Sequence, residues 1–135
     1  RLLMGNEKVI DYAFTEEKSD LLDIWLFANC TICISTSTGP DWISIAYGKP
    51  VLFINALPLG GLFSFAKSMW IPKHLYWEPT RKELSLIEML HTTTFQTNDY
   101  KTRGVIIQDL SSAEILSGVQ EFCEFVNDLE TIVLP

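Results

Sequence analysis

Residues 31–54 limit the fold more than any other part of the chain. Thr31-Ile32-Cys33-Ile34-Ser35 is a short, uncharged, β-branched run, the pattern of a parallel strand buried on both faces. Pro50-Val51-Leu52-Phe53-Ile54 has the same character and ends at Asn55. Between them, Thr36-Ser37-Thr38-Gly39-Pro40-Asp41 leads into a stretch that fits only a short helix, because Gly48 suits the C′ position and Pro50 cannot continue the helix. Strand, helix and strand in so little chain imply a parallel crossover, and therefore an α/β fold with helices flanking a parallel sheet. The spacing predicts Thr38 as N-cap, Pro40 near the first or second helical position, and Asp41 at the third, reaching back as in a capping box.

The remaining segments fit around that unit. Arg1-Leu2-Leu3-Met4 reads as the tail of a strand turning at Gly5-Asn6, and residues 8–12 as a second short extended piece. Ser19 followed by Asp20 and Asp23 starts a helix over 20–29, with Leu22, Trp25 and Leu26 at i, i+3, i+4 spacing. Residues 56–79, interrupted by Pro58, Gly60, Gly61, Pro72 and Pro79, read as an irregular excursion. Thr80-Arg81-Lys82-Glu83 has the form of a capping box leading into Leu84, Ile87 and Leu90, a helix of about ten residues. Residues 104–109 read as extended. Ser111-Ser112-Ala113-Glu114 is a second capping box, opening the longest helix with Ile115, Val119, Phe122, Val126 and Leu129 on one face.

Composition narrows the class of function. The 135 residues suit one domain, 1–135, and a content of 47% hydrophobic against 20% charged residues fills a core and excludes wholesale disorder. Ten Lys+Arg against 17 Asp+Glu give a net charge of 10 − 17 = −7, so the cationic stripe that nucleic acids require is missing. The apolar stretch 43–65 is broken by Lys49, Pro50, Asn55 and Pro58, so it is no transmembrane span of ~20 residues. Cys30, Cys33 and Cys123 are too few and odd in number for a disulfide framework, which points to a reducing, cytoplasmic setting. An opening on Arg1, with neither start methionine nor signal peptide, reads as a piece of a longer polypeptide.

Ligands of open parallel sheets bind beyond the carboxyl ends of the strands, where the 35–41 turn lies. Ser35, Thr36, Ser37 and Thr38 offer four successive hydroxyls, Gly39 allows close backbone approach, and the free N–H groups and positive dipole end of the helix start favour an anion, a phosphate or diphosphate, with Asp41 as a capping carboxylate beside it. The competing reading is a loop whose Ser and Thr only cap the helix. Asn55, at the same sheet edge, either hydrogen-bonds a sugar or base or merely turns the chain out of its strand. Asp23 either faces the site or complements its helix dipole. His74, in the aromatic-rich Ile71-Pro72-Lys73-His74-Leu75-Tyr76-Trp77, is a ligand contact or a structural group, whereas His91 at a helix end complements the dipole. Cys30 and Cys33 straddle a helix end and a strand with no further ligands nearby, so neither metal nor redox chemistry is expected of them. The apolar run 57–70 fits an interface with another domain best, with an acceptor site or a peripheral contact with a membrane surface as alternatives.

Several ordered blocks together resemble a family of bacterial glycosyltransferases of surface-polysaccharide loci. They are Val9-Ile10-Asp11-Tyr12, residues 19–30, Ile34-Ser35-Thr36-Ser37-Thr38-Gly39-Pro40, Lys49-Pro50-Val51-Leu52 with Asn55, Ile71-Pro72-Lys73, and the helix start at 110–122. The resemblance implies a Rossmann-like α/β domain, the C-terminal, nucleotide-sugar-binding half of a GT-B-type enzyme whose N-terminal domain is the partner. In such enzymes the Ser/Thr-Gly turn holds the donor diphosphate without metal or cofactor. That role would fall on Ser37, Thr38 and Gly39, with Ser35 and Thr36 as neighbours. Pro40 departs from the pattern by removing one amide. The base would come from the other domain or the cleft, so none is named in this chain, and the isolated domain is expected to be inactive. A nucleotide-sugar epimerase or pyruvyl transferase of the same fold, or a non-catalytic interaction module, are the alternatives.

Overall fold

The computed structural model describes residues 8–59, 65–91 and 97–132. The expected strand at 1–4 with its Gly5-Asn6 turn, Gly60 and Gly61 of the excursion, and the side chain of Leu129 lie outside them. The architecture is α/β, with a three-stranded parallel sheet, flanking helices and a separate two-stranded antiparallel ribbon.

A 3₁₀ turn, Tyr12–Phe14, begins at the last residue of the stretch 8–12 that reads as extended, and no strand forms there. Its carbonyls bond locally, with Thr15 N–H donating to Tyr12 O at 3.2 Å. Helix α1, Asp20–Asn29, begins as expected, with Ser19 Oγ accepting from Leu22 N at 3.3 Å. Its inward side differs from expectation. Phe27 and Ala28 face the core, while Leu21, Ile24 and Trp25 are 79%, 46% and 57% exposed. The helix is apolar around most of its circumference, so periodicity alone could not choose the buried face.

Strand β1, Cys33–Ser35, and strand β2, Val51–Ala56, pair in parallel with Cys33 opposite Val51. Helix α2, Asp41–Ala46, connects them. The supposed irregular excursion contains β3, Ser68–Pro72, parallel to β2 on its other side, and β4, His74–Trp77. Prolines at 58, 72 and 79 punctuate these elements without preventing them, because Pro72 ends its strand. Leu59 lies in a core and Trp70 stacks on Phe53 at 4.0 Å, so much of the apolar surplus of this region is internal packing.

β2 is central, and alternation sorts its side chains. Val51 and Phe53 face Phe27, Cys30 and Ile45 on the α1/α2 side. Leu52 and Ile54 face Phe122, Val126 and Val119 of α5, Ser112–Ile132. Burying a side chain such as Phe122, fully enclosed here, contributes about 2 kcal/mol. Gly118 allows α5 to approach β3: a Cβ there would clash with Ile71 Cδ1.

Beyond the sheet, helix α3, Leu86–Leu90, is shorter than expected and starts later. Its capping box is Ser85 with Glu88, not Thr80 with Glu83. Helix α4, Thr97–Thr102, has no counterpart in the sequence reading. Strand β5, Val105–Gln108, pairs antiparallel with β4, over a core of Leu59, Leu75, Leu84, Met89, Tyr100 and Val105. The Ser111–Glu114 box opens α5 as read from the sequence. Among the described residues no helix is long and apolar enough to cross a membrane.

Candidate functional site

β1 ends at Ser35, and the chain must then reverse into α2. Two left-handed residues do this: Ser37 at φ 63° and Gly39 at φ 111°, the latter a region that a side chain rarely adopts. They lengthen the turn, so the helix starts at Asp41 with Pro40 as N-cap and no side-chain cap. Asp41 is therefore not a third-position capping carboxylate, and Thr38 is not the N-cap. Asp41 instead folds back into the turn, 1% exposed, where Oδ2 accepts from Ser35 Oγ at 2.6 Å and Oδ1 from the Gly39 amide at 3.1 Å. A carboxylate at a helix start is favourable with the dipole.

This arrangement decides which groups remain for a ligand. The Ser37 amide donates to Ser35 Oγ at 3.1 Å, and the Trp42 and Ile43 amides donate to Gly39 O and Pro40 O, each at 3.0 Å. With the Gly39 amide held by Asp41, most of the amides expected to greet an anion are committed internally. The hydroxyls of Thr36, Ser37 and Thr38 have no hydrogen-bond partner among the described residues, and all three residues are exposed.

Ser35, Thr36, Thr38 and Asp41 line an open cavity of about 220 Å³ with Phe27, Ile34, Pro40 and Ile54. It sits at the carboxyl ends of β1 and β2. Ser37 and Gly39 belong to the same turn without lining the cavity. Phe27, Ile34 and Ile54 supply the apolar wall; the sequence reading places Ile34 and Ile54 in strands and does not single out Phe27. Ser44, fully buried on α2, donates to Phe27 O at 2.8 Å and lies 3.6 Å from Cys30 Sγ, so it ties α2 to α1 beneath the site. A buried serine has no signature in a single sequence. Comparison with protein-family models, curated proteins and solved structures gives no match.

The other candidates lie elsewhere. Asn55, at φ 52° beside the register shift between Ile54 and Ala56, accepts from the Leu110 amide through Oδ1 at 2.8 Å. It links the end of β2 to the segment preceding α5. His74 is on the antiparallel ribbon, with both ring nitrogens 2.7 Å from carboxylates. Asp23 lines a neighbouring apolar cavity of about 370 Å³ with Tyr12, Leu26, Cys30 and Cys33. Burial pushes the Cys33 thiol up from its ordinary value. His91 Nδ1 is 2.7 Å from Ile87 O at the end of α3. Among the described residues no group of three or more His, Cys, Asp or Glu is placed to hold a metal ion.

Proposed function

We propose that this chain is a Rossmann-like, nucleotide-sugar-binding domain, the C-terminal half of a GT-B-type glycosyltransferase of surface-polysaccharide or glycoconjugate synthesis. The observation that carries it is the cavity beyond β1 and β2, edged by the hydroxyls of Thr36 and Thr38, which have no hydrogen-bond partner among the described residues. In a parallel α/β sheet, ligands are taken at this edge. A cavity of about 220 Å³ is below the usual size for a whole small ligand, so it would take the diphosphate and adjoining sugar, with a second domain completing the enclosure. The exposed Leu21, Ile24 and Trp25 of α1 offer apolar surface for such a domain.

With a net charge of −7, the domain would hold an anionic donor through local dipoles rather than its overall field. Hydroxyls of Thr36 and Thr38 would donate to the diphosphate and offset the charge that grows on it as it leaves. Asp41 is turned into the turn by two donors, which shields that oxygen pair from the anion. No base is assigned to this chain. The reaction would run in the cytoplasm, where Cys30, Cys33 and Cys123 stay thiols. A non-catalytic interaction module is the second reading, favoured by the same exposed α1 face.

Titration of the isotope-labelled chain with UDP-, GDP- and CMP-sugars tests the proposal. Amide shifts confined to residues 35–41, lost in a Thr36→Val/Thr38→Val double variant, are expected. Silence of those amides at millimolar donor, with shifts or self-association centred on α1, would replace it with the interaction module.

A further inference from the structure

His74 opens β4 with a carboxylate on each side of its ring. Nδ1 lies 2.7 Å from Glu83 Oε1, and Nε2 lies 2.7 Å from Glu114 Oε1. An ionised carboxylate only accepts, so both bonds together require a proton on each ring nitrogen, and a neutral imidazole has just one. The two carboxylates differ in what else holds them. Glu114 Oε2 also accepts from the Ser111 amide at 2.7 Å and from Ser111 Oγ at 2.5 Å. The Glu83 side chain has His74 as its one hydrogen-bond partner among the described residues.

The other charged groups around the ring are accounted for. Lys73, the preceding residue, is paired with Asp109 from the segment after β5 at 2.6 Å, so it is not directed at Glu83. Tyr76 on β4 stacks on the imidazole at 6.1 Å between centroids. Glu83 comes from the segment before α3 and Glu114 from the first turn of α5, which packs on the parallel sheet. The imidazole thus joins three separate parts of the molecule.

We propose that His74 is a pH-operated latch: as an imidazolium it ties the 80–85 segment and the start of α5 to β4, and on losing one proton it keeps Glu114 and releases Glu83. The retained proton sits on Nε2, facing the carboxylate that Ser111 already holds in place. The Nδ1 lone pair then faces Glu83 Oε1, and the two repel. The Glu83 side chain has no other hydrogen-bond partner among the described residues and turns outward. The backbone on either side of Glu83 stays anchored to β4 by Trp77 N–H to Lys82 O and Leu84 N–H to Leu75 O, both 2.8 Å, with Leu84 in the core beside Leu75 and Met89, so the release is of the Glu83 side chain. The latch is closed on the acid side of the imidazole titration and open on the alkaline side. Hydrogen bonds to Glu83, then to Glu114, hold the imidazole pKa above its ordinary value.

Proton–nitrogen correlation spectra of the ring, recorded from about pH 5 to about pH 9, test this. A His91→Gln variant leaves one imidazole to assign. Four results are expected. Both ring nitrogens carry protons on the acid side. The neutral ring carries its proton on Nε2. The amides of Glu83 and Leu84 shift with the His74 midpoint while those of Ser111 and Glu114 stay still. In Glu83→Gln the midpoint falls by at least about 0.5 pH unit and the shifts at 83–84 disappear. A neutral ring protonated on Nδ1, residues 83–84 that ignore the titration, or equal midpoints in chain and variant would each overturn the latch. Glu83→Gln keeps the side-chain length, so loss of fold does not confuse the outcome, and an unchanged thermal transition at acid pH verifies it.

Discussion

In the parallel sheet the decisive polar group is buried and answers to near neighbours. Asp41 takes its two donors from residues six and two positions away. In the β4–β5 ribbon the decisive group lies at the surface and answers to distant ones, since His74 meets Glu83 and Glu114 nine and 40 positions away. The first arrangement shapes a turn, is shielded from salt, and costs much to break. The second joins separate segments, is open to solvent, and is adjustable by pH. A rigid cavity edge and a titratable brace thus occur in one small domain because burial differs.

Variants rank along that contrast. Phe122→Ala, which empties the space between α5 and β2, should cost about 4 kcal/mol in urea unfolding. A loss below about 1 kcal/mol would mean that α5 does not seal the parallel sheet. Asp41→Ala leaves the Ser35 hydroxyl and the Gly39 amide without their acceptor and should cost about 2 kcal/mol, with little dependence on salt. Asp41→Asn, keeping one acceptor, should cost less. If its loss vanished in high salt, Asp41 would be a surface charge like those of the ribbon.

His74→Gln should cost under about 1 kcal/mol near pH 6, and its effect should fade in alkali. The sign follows from the raised imidazole pKa: the folded state holds the proton more tightly, so the stabilisation is full below the unfolded value and is lost as pH rises through the folded one. Glu114 adds an acid limb. Ser111, then His74, lowers its carboxyl to about 2, so that contribution is present above the ordinary carboxylate value and is lost as pH falls toward 2. Thermal melts across pH should therefore peak between the two limbs, and Glu114→Gln should flatten the acid one. The smallest change in stability is expected from Thr36→Val and Thr38→Val, within about 0.5 kcal/mol, because neither hydroxyl has a hydrogen-bond partner among the described residues. Their effect should fall on donor titrations alone.

Capping patterns show how far local sequence carries. Two Ser/Thr-x-x-Glu strings stand close together, at 80–83 and 85–88. Only the second starts a helix. The first is diverted because Arg81 adopts φ 54°, Glu83 bridges to Tyr76, and its carboxylate is drawn to His74. Those partners come from β4, which no count along the chain reveals. The 35–41 turn misleads in a related way: counting from Thr38 places Asp41 third, but the left-handed Ser37 and Gly39 shift the helix start. The turn itself, its place after β1 and the hydroxyls it carries were legible.

What the sequence alone determined is the set of elements whose cause is local: the uncharged runs of β1 and β2, the Ser19 start of α1, the Ser111–Glu114 start of α5 and its apolar face. Apolar spacing and capping act within a few residues and are written in the chain. Tertiary structure decided the face that α1 buries, the pairing of β3, β4 and β5, the inward turn of Asp41 and the bracing of His74 by two carboxylates. Each depends on burial or on a partner from a remote segment, and neither exists until the chain is folded.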